Sequence, residues 1–117
     1  MAGIYSAKRD RTDIQTVVDI PAVFGATTYF TEGLTIVSND LYWTDTGTKK
    51  IYTSGLDGSN ATVLIDGTSG TINDAAGITS DGISLFWCDR GFEGIYTAPI
   101  GGGDAGADRR CRPGNGR

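Results

Sequence analysis

The residue types that most often carry chemistry in proteins are scarce in this chain. Histidine is absent, which removes the usual base for a serine or cysteine nucleophile, histidine-ligated zinc and a histidine pH switch. Of the two cysteines, Cys88 is predicted to be a buried small hydrophobe and Cys111 an exposed thiol. The aspartates at predicted turns lack the alternating oxygen spacing of a calcium loop. The sequence therefore predicts no catalytic residue, no metal site and no cofactor.

Length, charge and composition bound the class of protein that the chain can form. Its 117 residues suffice for one small domain with a modest core. Eighteen glycines, three prolines and 38% apolar residues are typical of a turn-rich globular chain. The net charge of −4 disfavours phosphate contacts, so no nucleic-acid partner is predicted. No apolar run is long enough to span a membrane and no signal peptide is recognisable, so membrane insertion is not expected.

An internal repeat with a period of 44 residues organises most of the sequence. Residues 41–45 (LYWTD) recur as residues 85–89 (LFWCD), and residues 51–54 (IYTS) recur as residues 95–98 (IYTA). A period near this length, with short aromatic segments and Gly, Asp and Asn between them, is typical of four-stranded propeller blades. Helical repeats of similar period would need long amphipathic runs, and the sequence has none.

The repeat divides the chain into blade units of an all-β fold. A full blade is predicted over residues 33–66, with partial blades over 3–19 and 77–103, so that propeller repeats cover residues 3–103. The Gly/Arg-rich tail, residues 104–117, is predicted to be disordered. No helix is predicted, and the predicted strands of the full blade are residues 34–38, 41–46, 50–55 and 61–66. Nine predicted strands, about two and a quarter blades of four antiparallel strands, make an incomplete ring.

The full repeat resembles the YWTD repeat, the class B repeat of the low-density lipoprotein receptor family. The resemblance rests on residues 41–45 (LYWTD) and 56–60 (LDGSN), with Ile51 between them. It implies a six-bladed β-propeller that serves as a noncatalytic binding platform, extracellular or at the cell surface. The second copy departs from the pattern, because Phe86 replaces the tyrosine and Cys88 replaces the threonine.

The motif residues are predicted to build the scaffold. They are Tyr42, Trp43, Thr44 and Asp45 in one copy and Phe86, Trp87 and Asp89 in the other. Side chains alternate along a strand, so Trp43 and Trp87 are predicted to pack between blades. Asp45 and Asp89 end their strands, where a carboxylate accepts backbone N–H bonds. The resemblance implies that this aspartate is a structural clasp between blades.

Ligand-binding residues are predicted in loops at one rim of the ring, since packing uses the blade faces. Arg90, Phe92 and Glu93 offer a cation, an aromatic ring and an anion, and Lys49 and Tyr29 extend this cluster. The alternative interpretation is structural: Phe92 covers a strand edge, and the charged side chains are solvated without binding a ligand. Separately, residues 60–62 form a sequon that makes Asn60 a candidate for N-glycosylation on a predicted turn.

The preferred functional hypothesis is a noncatalytic binding scaffold, a fragment of a YWTD β-propeller that recognises a protein ligand through its rim loops. A closed propeller needs at least four blades, so the missing blades come from a longer chain or, alternatively, from self-association of copies. Two other functions stay open. One is a sugar-binding, lectin-like oligomeric propeller, and the other is a propeller-type metal-dependent hydrolase or lyase. A calcium ion on the ring axis is also left open.

Overall fold

The computed structural model describes residues 3–25, 27–102 and 106–107. Within this part of the chain the fold is all-β, with ten strands and two short helices. The strands are β1 (Gly3–Ser6), β2 (Gln15–Asp19), β3 (Thr31–Val37), β4 (Asp40–Asp45), β5 (Lys50–Gly55), β6 (Thr62–Asp66), β7 (Ala75–Ser80), β8 (Ser84–Asp89), β9 (Gly94–Pro99) and β10 (Gly106–Ala107). The helices are α1 (Ile20–Phe24) and a 3-10 helix (Gly67–Ser69).

The strands form three meandering sheets that follow one another along the chain. Sheet I contains β1 and β2, sheet II contains β3 to β6, and sheet III contains β7 to β10. Each strand is antiparallel to its neighbours in the sheet. Sheets II and III share one register, since Trp43 is paired with Tyr52 in the first and Trp87 with Tyr96 in the second. The predicted fold class, antiparallel four-stranded blades in an incomplete ring, is thereby confirmed.

The segment that leads into sheet II contains a helix that the sequence did not predict. The expectation of no helix is wrong, because α1 occupies Ile20–Phe24. Asp19 caps this helix, since its Oδ1 atom accepts a hydrogen bond from the Ala22 N–H at 3.3 Å, and Pro21 suits the first turn. Strand β3 begins at Thr31, earlier than predicted, because Thr31 already pairs with the end of β4.

Strand β10 lies inside the stretch predicted as a tail and adds a fourth strand to sheet III. Gly106 pairs with Thr97 on β9, at the position where Thr62 pairs with Thr53 in sheet II. The repeat therefore continues beyond its predicted end, and only its glycine-rich composition concealed this strand. The remainder of the predicted tail, including Cys111, lies outside the described residues.

Apolar clusters hold neighbouring sheets together face to face. Between sheets I and II, Trp43 and Tyr52 are stacked with ring centroids 5.6 Å apart and are buried in one cluster with Ile4 and Val18. The buried cluster between sheets II and III consists of Tyr42, Ile51, Ile65, Ile72, Ala75, Leu85, Trp87 and Ala98. Side-chain alternation along a central strand therefore supplies a large apolar residue to each of two interfaces. Each such side chain stabilises its interface by about 2–3 kcal/mol.

The inner strands β3 and β7 approach each other closely at Gly33. A Cβ atom on Gly33 would lie 2.6 Å from the Ala76 carbonyl oxygen and 3.1 Å from the Cα atom of Gly77. The buried Thr44 hydroxyl donates to that same Ala76 oxygen at 2.7 Å and accepts the Gly33 N–H at 3.0 Å. One hydroxyl therefore satisfies a backbone donor of sheet II and a backbone acceptor of sheet III.

Buried carboxylates end β4 and β8 and fasten the loops next to them. Asp89 accepts N–H hydrogen bonds of 2.8–3.1 Å from Asn73, Asp74 and Phe92. Asp45 accepts N–H hydrogen bonds of 3.0–3.2 Å from Phe30 and Thr48. Each carboxylate ties the loop before its sheet to the turn after its strand. The implied clasp between blades is therefore wrong in detail, because these bonds lie within one repeat, whereas the hydroxyl of Thr44 makes a bond that crosses between sheets.

Each outer face of the stack has an uncovered apolar area. On β8, Trp87 is directed to sheet II and is buried, whereas Cys88 on the opposite face is exposed. The prediction of a buried Cys88 is wrong because none of the described residues forms a sheet on that side. On the other outer face, Leu34 and Ile36 of β3 are 49% and 60% exposed, since the two strands of sheet I cover only the outer part of sheet II.

Replacing Gly33 with alanine is expected to lower the free energy of unfolding by about 1–3 kcal/mol, because the new methyl group would overlap the Ala76 carbonyl. Urea denaturation measures this change. Gly77→Ala is the matched control. It occupies the equivalent position on β7, where an added Cβ meets no atom within 4 Å, so the change should stay below about 0.5 kcal/mol. Equal losses in both variants would contradict a specific contact at Gly33.

Asp89→Asn is expected to lower the free energy of unfolding by about 2–3 kcal/mol, because an amide cannot serve three N–H donors as a buried carboxylate does. Thermal unfolding followed by circular dichroism measures the loss. Asp57, an exposed residue that accepts the Ser59 N–H in a turn, is the control, and Asp57→Asn should change stability far less. If the two variants unfold at the same temperature, the carboxylate of Asp89 does not hold the loops.

Candidate functional site

Turns and connecting loops meet at one end of sheets II and III, which we call the rim. The Thr46 N–H donates to the Phe30 carbonyl at 2.9 Å, which joins the β4–β5 turn to the loop before β3. The Arg90 N–H donates to the Asp74 carbonyl at 3.0 Å, which joins the β8–β9 turn to the loop before β7. The described part of the rim comprises residues 27–32, 46–49, 67–74 and 90–93. The loops predicted to open on one face therefore lie together there.

Arg90 bridges two sheets at the rim. Its Nη2 atom lies 2.7 Å from the Oε1 atom of Glu32, on β3, and 3.0 Å from the Oδ1 atom of Asp74, just before β7. Hydrogen bonds to Glu32 and then to Asp74 raise the pKa of Arg90 above its ordinary value, so the guanidinium is a permanent cation. All three side chains are partly exposed, so the bridge adds little to stability. Its groups are held in place and face solvent.

Phe92 lines an open depression beside this bridge. Its half-buried ring is tilted against Tyr96 with centroids 5.8 Å apart, and Tyr96 in turn stacks on Trp87 at 6.5 Å. The depression has a volume of about 350 Å³ and is lined by Gly70, Thr71, Phe92 and Tyr96. Burial, followed by the charge of Asp89, raises the pKa of Tyr96, so the phenol is neutral at physiological pH. An aromatic surface of this kind suits an apolar side chain.

The equivalent turn in sheet II is closed by polar contacts instead. Thr48 stands where sheet III has Phe92, and its hydroxyl lies 2.9 Å from the Tyr52 hydroxyl and 3.2 Å from the Asp45 carboxylate. Sheet III therefore replaces a hydrogen-bonded threonine with a ring, and an aromatic contact takes the place of the bond between hydroxyls. This difference between two copies of one repeat marks the β8–β9 turn as the specialised one.

Lys49 and Glu93 occupy the same position in the two turns. Both are exposed and have left-handed backbone conformations, with φ values of 58° and 55°. Their side chains add one charge of each sign to the rim. Over the described rim, the three carboxylates of Glu32, Asp74 and Glu93 outnumber the two cations, Lys49 and Arg90.

Tyr29 contributes to the scaffold and not to an open surface. Its hydroxyl donates to the Gly25 carbonyl at 2.6 Å, and its half-buried ring packs on the cluster of Trp43 and Tyr52. The neighbouring Phe30 is 59% exposed, so of the two aromatic rings in this loop its ring is the one that faces solvent. Tyr29 is therefore not brought together with the residues of the Phe92 depression.

Asn60 lies at the end of the sheets opposite the rim. It is exposed in the β5–β6 turn with a φ of 54°, at the edge of a cleft of about 680 Å³ between sheets II and III. The sequon asparagine is thus accessible and separate from the predicted ligand-binding residues. The cleft itself is lined by residues of both sheets, including Asp40, Tyr42, Leu64 and Ile100.

Sequence reasoning missed the residues that surround Arg90 and Phe92. None of Glu32, Asp74 and Tyr96 was predicted as a site residue, and the available signal for the two acids was a charge opposite to that of Arg90. Among the described residues, no cluster of acidic and cysteine side chains has the arrangement of a metal site. Neither helix in the described part of the chain reaches the length that a membrane span requires.

Comparison with known proteins supports the fold. Searches of protein families and of curated proteins found no match. Among solved structures, the chain is similar to one in the "Crystal structure of Nidogen/Laminin Complex", with a TM-score of 0.68 and 24% sequence identity. The match covers 86% of this chain and 35% of the other, so the chain spans about a third of that protein's length. At this identity the likeness shows the fold alone, a part of a β-propeller.

Proposed function

We propose that this chain is a noncatalytic binding scaffold whose rim recognises a protein ligand. The observation that carries the proposal is the Phe92 depression beside the Arg90 bridge. An aromatic depression on the same rim as charges in fixed positions has the composition of an interface hot spot. Packing between sheets occupies most of both faces of sheet II, so loops on a rigid support are the natural place for recognition.

The similar solved structure and the repeat motif support this proposal. That structure is titled as a complex between nidogen and laminin, which is an assembly of proteins. The resemblance of residues 41–45 and 56–60 to YWTD repeats implies a six-bladed propeller with an extracellular or cell-surface location. We extend both to this chain, as blades of a YWTD propeller that binds a protein outside the cell. Glycosylation of Asn60 fits that location, because the sequon lies on an exposed turn.

The rim also indicates the chemistry of the ligand. Glu32, Asp74 and Glu93 outnumber Lys49 and Arg90 and so give the described rim a net negative charge, which attracts a basic partner. The depression itself accepts an apolar side chain, which Phe92 and Tyr96 would contact. A ligand segment with one aromatic or aliphatic residue flanked by lysine or arginine matches both features.

Panning a phage-displayed library of random peptides against the chain tests this function. We expect the selected peptides to share an apolar residue flanked by basic residues. Phe92→Ala should weaken their binding by at least about ten-fold, because truncation of a hot-spot aromatic residue costs about 2 kcal/mol or more. Isothermal titration calorimetry measures the affinities, and circular dichroism shows that the variant is folded.

Asn60→Ala provides the matched control, because Asn60 lies at the opposite end of the sheets. It should change the affinity of the same peptides by less than about two-fold. Selected peptides that bind the Phe92→Ala variant as tightly as the parent chain would contradict a ligand site at the rim. So would peptides whose binding depends on Asn60 instead.

A further inference from the structure

The cleft between sheets II and III, at the end opposite the rim, combines an acidic edge with an apolar wall. Its volume of about 680 Å³ lies within the range of small-molecule sites in proteins. Asp40 and Asp57 line it on the side of sheet II, and Leu64 and Ile100 contribute apolar surface. None of the described residues that line the cleft is a lysine or an arginine, so its charge is negative.

Strand register brings the two carboxylates to the same side of sheet II. Asp40 shares with Tyr42 the side of β4 that faces sheet III, and it pairs with Gly55 on β5. A Cβ atom on Gly55 would lie 3.0 Å from the Oδ1 atom of Asp57 and 2.7 Å from the Oγ atom of Ser59. These oxygens therefore fold over Gly55. They lie beside Asp40, because residues directly opposite each other in an antiparallel pair have Cα atoms about 5 Å apart.

Gly55 leaves the space that these oxygens occupy. Its φ lies outside the range that favours glycine, so the backbone conformation does not require a glycine here. Forty-four residues later in the chain, proline stands in place of Gly55, serine in place of Asp40 and glycine in place of Asp57. Of the two described four-stranded sheets, only sheet II therefore has this acidic pair. The difference between two copies of one repeat marks the cleft as a specialised feature.

The charges at the cleft are not neutralised within the described part of the chain. Hydrogen bonds from the side chain of Ser59 and then from its N–H lower the pKa of Asp57, so this carboxylate is charged at physiological pH. Neither Asp57 nor Asp40 forms an ion pair with a described residue. Burial, followed by the charge of Asp40, raises the pKa of Tyr42, so the phenol is neutral there.

We propose that this cleft binds a small organic cation, namely a primary ammonium group carried on an apolar body. The ammonium would donate charge-assisted hydrogen bonds to the carboxylates of Asp40 and Asp57. The apolar body would lie against Leu64 and Ile100. Both walls of the cleft belong to described sheets, and the site is separate from the rim, so it does not depend on what the rim binds.

Other small ligands match the cleft less well. A metal ion would use the carboxylates but would leave the apolar wall without a contact. A sugar favours an exposed aromatic face for stacking, whereas the ring of Tyr42 is buried and only 6% exposed. An ammonium group with an apolar body uses both features of the cleft.

The test titrates the full chain, labelled with nitrogen-15, with three probes and follows the backbone amides by NMR. The probes are 2-phenylethylamine, 2-phenylethanol and ethylamine, so that the second lacks the charge and the third lacks the apolar body. We expect 2-phenylethylamine to bind at least about ten-fold more tightly than either of the others, because it alone makes both kinds of contact. The largest shifts should lie at Asp40, Gly55, Asp57 and Ile100.

Variants that remove one charge test the role of the two aspartates. Asp40→Asn and Asp57→Asn should each weaken the binding of 2-phenylethylamine by at least about five-fold and leave that of 2-phenylethanol within about two-fold. Asp13→Asn is the matched control, because Asp13 is an exposed residue between β1 and β2, on the other side of sheet II. It removes the same charge and should change the affinity for the amine by less than about two-fold. Circular dichroism shows that the variants are folded.

Four results would overturn the proposal. One is equal affinity for 2-phenylethylamine and 2-phenylethanol, which would make the cleft a purely apolar site. Another is an equal loss in Asp13→Asn and Asp40→Asn, which would reduce the preference to the overall charge of the chain. The third is binding of calcium ions to the cleft with no amine present, which would assign the carboxylates to a metal. The fourth is an amine that shifts the amides near Phe92 and none at the cleft, which would leave the rim as the ligand site.

Discussion

The contact between successive sheets is the constraint on which the rest of this structure depends. Each four-stranded sheet carries apolar residues on both faces, so packing against a neighbouring sheet stabilises it. The inner strands set the spacing at Gly33, where backbone atoms nearly touch, and the Thr44 hydroxyl sets the register by bonding to Ala76. Trp43 and Trp87 then fill the wider space behind the inner strands. The tryptophan of the second strand, repeated 44 residues apart, serves both interfaces.

Rigid support from these interfaces lets the rim vary between repeats. Asp45 and Asp89 do the same task in their repeats, because each holds a connecting loop and a turn with one buried carboxylate. With the backbone held in this way, the turn can exchange Thr48 for Phe92 without loss of its shape. The exchange removes a hydrogen bond to a tyrosine hydroxyl and gains an aromatic surface. Recognition is thus separated from folding within one repeat.

The repeat made the architecture predictable. Details that depend on which sheets pack against each other could not be predicted from it. Matching segments at one offset were enough to predict the four-stranded units and the burial of Trp43 and Trp87. Alternation placed Cys88 on one face of β8, but alternation does not say whether another sheet covers that face. The ion pair between Arg90 and Glu32 joins residues 58 positions apart, and only the packing of sheet II on sheet III brings them together. Helix α1 was missed because five residues are too few for a periodic pattern.

The interfaces in this stack are directional, and this property limits what can join it. Sheet III offers a carbonyl and a tryptophan to sheet II, and sheet II offers a glycine and a hydroxyl to sheet III. Two like faces therefore do not complement each other. At the outer face of sheet III, Cys88 stands in place of Thr44, and a thiol is a much weaker donor to a carbonyl than a hydroxyl. That face therefore lacks the strong hydrogen bond that Thr44 makes across the interface between sheets II and III.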